Sequence, residues 1–316
     1  MKTLIENHIS NVKKLSLYKS EITTEIINSY VEYLDVSEAT IRTYLTGIRR
    51  LLKYLSERDI KVPNQKDIQD YKREILRDGL KSSTVALYLT SIRRFFSWTA
   101  QRGLYANIAE GIKSPKQDKG HKKDYFSAES IKAIMKGIDR STLEGKRNYA
   151  MIALMTCGGL RTVEVIRANV EDMRTLGDVT VLYVQGKGRT DKKEFIKITS
   201  KVADALREYF HARGHVSENE PLFTSMSRRN SGKRLTTRSI SGICKSAMRK
   251  AGYDSARLTA HSLRHTAVTL ALTAGQTLAE VQMFARHSSI TTTQIYAHNL
   301  ERINSMCEAS ISEAIF

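Results

Sequence analysis

Three histidines, an arginine and a tyrosine crowd the C-terminal part of the chain: His261-Ser-Leu-Arg264-His265, then His287, then Tyr296 nine residues further on. A tyrosine hydroxyl is a poor nucleophile, because its ordinary pKa is about 10. It becomes useful when a base takes its proton and cations hold the group under attack. Upstream, Cys157-Gly-Gly-Leu-Arg161-Thr-Val-Glu164 offers a second arginine. Two guanidinium groups suit a phosphodiester, whose two non-bridging oxygens accept forked hydrogen bonds. His261, Arg264 and His265 stand at i, i+3 and i+4, so one helical face presents all three. His-x-x-x-His is also a zinc-ligand spacing. No Glu follows His261, however, and no third Cys, His or carboxylate pattern accompanies it, so no metal is assigned.

These residues resemble those of the tyrosine recombinases, the phage-integrase and Xer-like enzymes that cut and rejoin DNA. The likeness runs in order through Arg161 and Glu164 in Gly-Leu-Arg-x-x-Glu, Lys187 in Gln-Gly-Lys-Gly, and His261 and Arg264 in His-x-Leu-Arg-His. It continues with His287 in Arg-His-Ser-Ser-Ile-Thr-Thr-Thr and closes on Tyr296 in Ile-Tyr-Ala-His. Each motif alone is weak; the ordered set, spread over 135 residues, is specific. One departure is Arg286, where the family usually shows a glycine; an added cation facing DNA would be tolerated there.

The resemblance implies a role for each residue. Arg161 and Arg264 clamp the phosphate, with Glu164 holding Arg161 in place. Lys187 protonates the departing 5′ oxygen, with Lys192 and Lys193 as nearby rivals. His261 is base or hydrogen-bond partner, His265 braces it from behind, and His287 contacts a non-bridging oxygen. Tyr296 attacks, leaving a 3′-phosphotyrosine and a free 5′-hydroxyl, so bond energy is kept and neither ATP nor any other cofactor is needed.

Composition agrees with a polyanionic partner. The chain of 316 residues has 51 Lys and Arg against 33 acids, a formal charge of +18. That excess points to nucleic acid rather than to simple solubility, and its spread over both halves to a clamp around a duplex, which the resemblance makes double-stranded DNA. Three cysteines without Cys-x-x-Cys give no disulfide framework and fit a reducing compartment. No signal-peptide pattern and no apolar run of spanning length are seen, so no membrane partner is expected. A cytoplasmic, nucleoid-associated prokaryotic protein is the expectation.

The elements that must position these residues fall into two lobes. Thr40-Ile-Arg-Thr-Tyr-Leu-Thr-Gly-Ile-Arg-Arg-Leu-Leu52 is echoed by Thr84-Val-Ala-Leu-Tyr-Leu-Thr-Ser-Ile-Arg-Arg-Phe-Phe96, with seven of thirteen positions shared. Apolar residues recur at helical spacing in both, with Ser37 and Ser82 or Ser83 as N-caps. Arg49, Arg50, Arg93 and Arg94 sit beside the stripe, where at least one of each pair faces outward to grip phosphates. Helices are also read at 21–34 and 65–78. Residues 1–112 thus read as a helical lobe, which the resemblance makes a SAM-like core-binding domain, and 113–124, with five lysines, Pro115 and Gly120, as a basic linker. Residues 125–316 form the catalytic domain: helices near 127–138, 149–155, 200–212, 237–251, 262–274 and 278–285, and a hairpin of 179–184 with 194–198. The fold class is mainly α with a small antiparallel β-sheet, and the resemblance implies a C-shaped, two-domain DNA clamp.

After Tyr296, Leu300, Ile303, Met306 or Cys307, Ile311 and Ala314 or Ile315 line one helical side. The resemblance implies a homo-tetramer on paired recombination sites, linked by exchange of this tail; folding back on its own domain is the other reading. About twenty residues precede the first lobe, which is short for an arm-binding domain. Integration, excision, inversion and dimer resolution all remain open, as does an accessory protein or sister recombinase. The rival readings are a type IB topoisomerase-like relaxing enzyme and a non-catalytic DNA-binding regulator.

Overall fold

The structure, a computed structural model, describes residues 22–116, 124–186 and 188–316. Lys187, most of the basic linker and the first 21 residues lie outside the described residues. The chain divides into two compact units, Met1–Lys119 and Gly120–Phe316.

The first unit holds α1 (Thr24–Tyr33), α2 (Glu38–Glu57), α3 (Gln65–Arg77) and α4 (Ser82–Gln101). The two echoed segments are α2 and α4, and they pack along each other. Their apolar stripes, Leu45, Ile48, Leu52 and Leu55 on one and Val85, Leu89, Ile92 and Phe96 on the other, are buried in one core with Tyr30, Ile68 and Tyr71. The helices cross at equivalent positions of the echo. A β-carbon on Gly47 would stand 2.1 Å from Ser91 Oγ and 3.2 Å from the Tyr88 Cα. Only a residue without a side chain lets the backbones approach so closely.

Ser37 caps α2, accepting from the Thr40 amide. Neither Ser82 nor Ser83 caps α4: both lie inside its first turn, and the N-cap is Lys81, with no side-chain bond. Left-handed Gly79 and the Leu80 amide, donating to Ile75, close α3 so tightly that the next helix starts at once. The Thr84 and Val85 amides then find the Lys81 carbonyl instead of a serine.

The second unit is helical around one small sheet: α5 (Ala128–Lys136), α6 (Leu143–Cys157), α7 (Thr162–Arg167), β1 (Met173–Leu176), β2 (Val179–Val184), β3 (Glu194–Lys197), α8 (Ser200–Arg213), α9 (Thr237–Lys250), α10 (Ala260–Thr273), α11 (Leu278–Ala285), α12 (Ile290–Asn304) and α13 (Cys307–Ile315). The sheet order is β1-β2-β3, antiparallel throughout, with Met173 opposite Leu182 and Val184 opposite Glu194. β1 extends the expected hairpin by a strand that was not anticipated. Its apolar alternation is lost because three of its four residues are exposed. The core runs through Ile152, Met155, Leu182, Leu206, Tyr209, Met248 and Leu263. A smaller cluster of Val268, Val281, Ala285 and Tyr296 joins α10, α11 and α12.

The tail is not one continuous helix. It breaks at Ser305, whose backbone is extended (φ −64°, ψ 134°), and α13 starts afresh with no buried residue. Met306, Ile311, Ile315 and Phe316 are 58% exposed or more, so the tail does not fold back on its own unit. Among the described residues no helix is long and apolar enough to cross a membrane.

Candidate active site

Arg161 is positioned by a turn that only glycine permits. α6 ends at Gly158, where a β-carbon would meet Ile196 Cδ1 at 2.4 Å and the Leu154 carbonyl at 2.9 Å. Gly159 follows in the left-handed region (φ +57°), against the Phe284 ring. Leu160 plugs into the core, and Arg161 becomes the N-cap of α7. Glu164, three residues on, is fully buried. Its Oε2 accepts the Arg161 amide at 2.9 Å, which caps α7, and its Oε1 accepts Arg161 Nη1 at 2.7 Å. One carboxylate therefore starts the helix and holds the arginine ahead of it. Burial by itself would raise the Glu164 pKa, but Arg286 and Arg161 together hold it below the usual carboxylate range.

Arg264 projects from the middle of α10 and is 1% exposed. Its Nη1 donates to the Gly159 carbonyl and its Nη2 to the Ala285 carbonyl, so it bridges the Arg161 turn and the end of α11. Burial first, then Arg161 and Arg286, bring its pKa down to about 9. It stays protonated at neutral pH, but as a desolvated cation among cations, which a bound anion would relieve.

α11 ends on Arg286 (φ 53°, ψ 47°), which reverses the chain. The His287 amide then donates to Gln282 at 3.1 Å, and Gln282 Nε2 donates back to the His287 carbonyl at 3.2 Å. Contrary to the expectation of a cation facing DNA, Arg286 turns inward. Its side chain is 5% exposed and meets Glu164 Oε2 at 3.0 Å. The reason is electrostatic: a buried charge must be paired, and the fully buried Glu164 leaves its Oε2 within reach of the Arg286 guanidinium.

Ser289 caps α12, accepting from the Thr291 amide. One turn in, fully buried Thr293 places its hydroxyl 2.9 Å from His287 Nδ1. Tyr296 stands a turn beyond Thr293, 6% exposed, against α10 and α11. Its ring lies 5.1 Å from that of His265 and 6.1 Å, nearly parallel, from that of His287. His265 in turn meets exposed His261 edge-on at 4.6 Å. Burial pushes the Tyr296 hydroxyl up to about 12, opposed by Arg264 and Arg161. Burial and the three arginines bring His287 down to about 4, so it is neutral at pH 7.

Arg161, Glu164, His261, Arg264, His265, His287 and Tyr296 are thus gathered in one place, and Lys187 lies outside the described residues. Its two rivals are engaged elsewhere: Lys192 with Asp172 at 2.6 Å, and Lys193 with Asp191 at 3.0 Å. An open cleft of about 640 Å³ runs past Arg161, Arg286, His287 and Ser288 to Arg189 and Glu194 of the hairpin. Arg189 and Glu194 pair with each other at 2.8 Å, while Arg161, Arg264 and Arg286 surround the one carboxylate of Glu164, an excess of positive charge suited to an anion. Among the described residues, no group of three His, Cys, Asp or Glu could hold a metal ion. One contributor is not read from the sequence. Thr293 was visible only as part of the Thr-Thr-Thr run, and its spacing from Tyr296, i to i+3, was the available signal.

In the first unit, Arg94 is exposed, 5.6 Å from the Tyr44 ring centre, and Arg50 is partly exposed, 3.8 Å from Asp78. Arg49 is half-buried. Arg93 instead donates to the Ile112 carbonyl and the Ser114 hydroxyl, both at 3.0 Å, tying down the segment after α4.

Residues 124–302 match the model of the phage integrase family, and residues 27–103 that of the phage integrase N-terminal SAM-like domain. A tyrosine recombinase XerC of Herpetosiphon aurantiacus is 33% identical over 63% of this chain and 63% of its own length. The chain thus spans less than two thirds of that relative. A XerC of Leptospira interrogans is 29% identical over 88% of this chain and 90% of its own. Among solved structures, the XerH site-specific recombinase in a post-cleavage complex with its palindromic difH substrate superposes with a TM-score of 0.70. It covers 85% of this chain and 80% of its own at 21% identity, a likeness of fold.

Proposed function

The chain belongs to the phage integrase family, and from that premise we propose that it is a site-specific tyrosine recombinase, cleaving and rejoining double-stranded DNA through a 3′-phosphotyrosine. The observation that carries the reading is the buried guanidinium of Arg264 and the partly exposed one of Arg161, both within electrostatic reach of the Tyr296 hydroxyl. A phosphodiester entering the cleft would relieve the mutual repulsion of those cations. The same cations would stabilise the tyrosinate and the extra charge of the pentacovalent transition state.

Neutral His287, held through Nδ1 by Thr293, would present its other nitrogen to a non-bridging oxygen. His261 would serve as base or hydrogen-bond partner, with His265 between it and Tyr296. Lys187 would protonate the 5′ oxygen; the engagement of Lys192 and Lys193 with aspartates supports giving it that role.

In the same reading, 1–112 is the core-binding domain, 113–124 the linker and 125–316 the catalytic domain with its tail. Arg50 and Arg94 are the phosphate-gripping residues of the first domain, and both domains engage the duplex. The enzyme acts as a tetramer on paired sites, in the cytoplasm, its tail docking on a neighbouring protomer. The exposed apolar side chains of that tail support this. Substitution Tyr296→Phe should abolish covalent capture of a nicked duplex in the presence of chelator while leaving binding intact. Capture by that variant, or loss of wild-type capture on adding chelator, would overturn the reading.

A further inference from the structure

Arg286 pairs two features that need an explanation. Among the described residues only it and Asp59 are non-glycine residues with positive φ, a region that L side chains rarely adopt. Its guanidinium is also taken out of water to meet a carboxylate that is itself fully buried. Neither feature favours folding, and a buried ion pair is weak evidence for stability, since apolar replacements are often no worse. What the arrangement does set is register. Arg286 Nη2 reaches Glu164 at 3.0 Å and the Gly159 carbonyl at 3.1 Å, and its Nη1 reaches the Phe284 carbonyl at 2.7 Å. Its own carbonyl accepts from Arg161 Nη2 at 3.3 Å. One residue thereby fastens together the end of α11, which carries His287, the glycine turn that precedes Arg161, and the carboxylate that holds Arg161.

We propose that Arg286 is a positioning residue for strand cleavage: it occupies the second oxygen of Glu164 and fixes the Arg161 and His287 turns at the spacing the reacting phosphate requires. The proposal rests on the recombinase reading. It gives Glu164 two arginines to hold, so that Arg161 keeps a guanidinium edge toward the cleft, its side chain 27% exposed. It also fits the charge of the reaction. Attack by a tyrosinate on a phosphodiester monoanion gives a dianionic phosphorane. Three guanidinium groups and one carboxylate leave two net positive charges, whereas without Arg286 only one remains.

The test uses the full-length chain and a nicked duplex recovered from a randomised oligonucleotide pool by covalent capture with the wild-type protein. Single-turnover cleavage at saturating duplex is compared for wild type, Arg286→Met, Arg286→Lys and Arg286→Gly. Misplacement of a reacting group by a fraction of an ångström to about 1 Å costs up to about 100-fold in rate. Arg286→Met should therefore cleave about 10- to 100-fold more slowly, with the dissociation constant for the duplex within about threefold of wild type, the split that a positioning role requires. Arg286→Lys, with the same backbone and charge, should recover most of the rate. Arg286→Gly, which relieves the left-handed backbone, should stay slow. If Arg286→Met does not fold, the glycine variant carries the comparison.

Wild-type rates in Arg286→Met or Arg286→Gly, or an equal loss of binding and cleavage, would overturn the proposal while leaving the recombinase reading in place. A wild-type chain that captures no duplex at all would remove both.

Discussion

Glu164 is the residue whose loss should be felt most widely, and Glu164→Gln isolates its charge from its shape. The wild-type carboxylate accepts the Arg161 amide and guanidinium and the Arg286 guanidinium, at 2.7–3.0 Å. A glutamine keeps one acceptor oxygen, which can serve the α7 cap and the Arg286 guanidinium as Oε2 does, but its amide nitrogen then faces Arg161 Nη1, and neither guanidinium meets a charge. Breaking a buried pair by removing one partner costs about 3–5 kcal/mol. Arg161, 27% exposed, can turn toward water and recover part of that, whereas Arg286, 5% exposed, cannot. A net loss of about 2–4 kcal/mol follows, or roughly 4–16 °C in the midpoint of a domain this size at about 2–4 °C per kcal/mol.

The sign with pH follows from the depressed folded-state pKa of Glu164. Its contribution is fully present above the unfolded value of about 4.3 and is lost as pH falls through the lower folded value. Urea unfolding of wild type and variant from pH 7 to pH 3 reads this directly. The stability gap should hold constant to about pH 5 and then close. A gap below about 1 kcal/mol at pH 7, or one that persists unchanged at pH 3, would refute the view of Glu164 as the charged hub of the site.

Gly47→Ala sets helix propensity, which favours alanine by about 1 kcal/mol, against a β-carbon 2.1 Å from Ser91 Oγ. Overpacking costs about 1–3 kcal/mol, so the N-terminal unit should lose about 1 kcal/mol in denaturant unfolding; any gain in stability would show that α2 and α4 separate freely. Thr293→Val removes the partner of His287 Nδ1 at nearly constant volume. A lost hydrogen bond of about 1–1.5 kcal/mol should slow single-turnover cleavage about tenfold without changing duplex affinity, and an unchanged rate would free His287 from Thr293. Deleting residues 303–316 removes Met306, Ile311, Ile315 and Phe316, all four being large apolar groups exposed by 58% or more. With about 1.5–3 kcal/mol available from burying each such group, sedimentation on DNA should show assembly weakened more than tenfold and single-site binding little changed; equal loss of both would count against an exchanged tail.

The helices were legible because their apolar residues repeat at helical spacing over long stretches, as in Leu45 to Leu55 and Val85 to Phe96. The site was legible for a different reason: Arg161, Glu164, His261, Arg264, His287 and Tyr296 stand in short local motifs whose chemistry is unusual together. What escaped was set by contacts between distant segments. β1 is too short and too exposed to alternate, although Gly177-Asp178, with Gly177 at φ +58°, was a hairpin signal in plain sight. The start of α4 is decided by how α3 ends at Gly79, not by the serines that follow. Arg286 reads locally as an outward cation, because nothing near it in sequence announces a buried carboxylate 122 residues upstream. The break at Ser305 interrupts a stripe that continues unbroken on paper, for a serine is tolerated in a helix and here takes an extended backbone instead.

The central claim concerns which atom becomes bonded to DNA. After reaction of the wild-type chain with a nicked duplex in chelator, nuclease trimming and proteolysis should leave a peptide that mass spectrometry can sequence. Its modified residue should be Tyr296, carrying a nucleotide through a 3′-phosphodiester. An adduct on any other side chain, a 5′ linkage, or cut DNA with no adducted peptide would contradict the account.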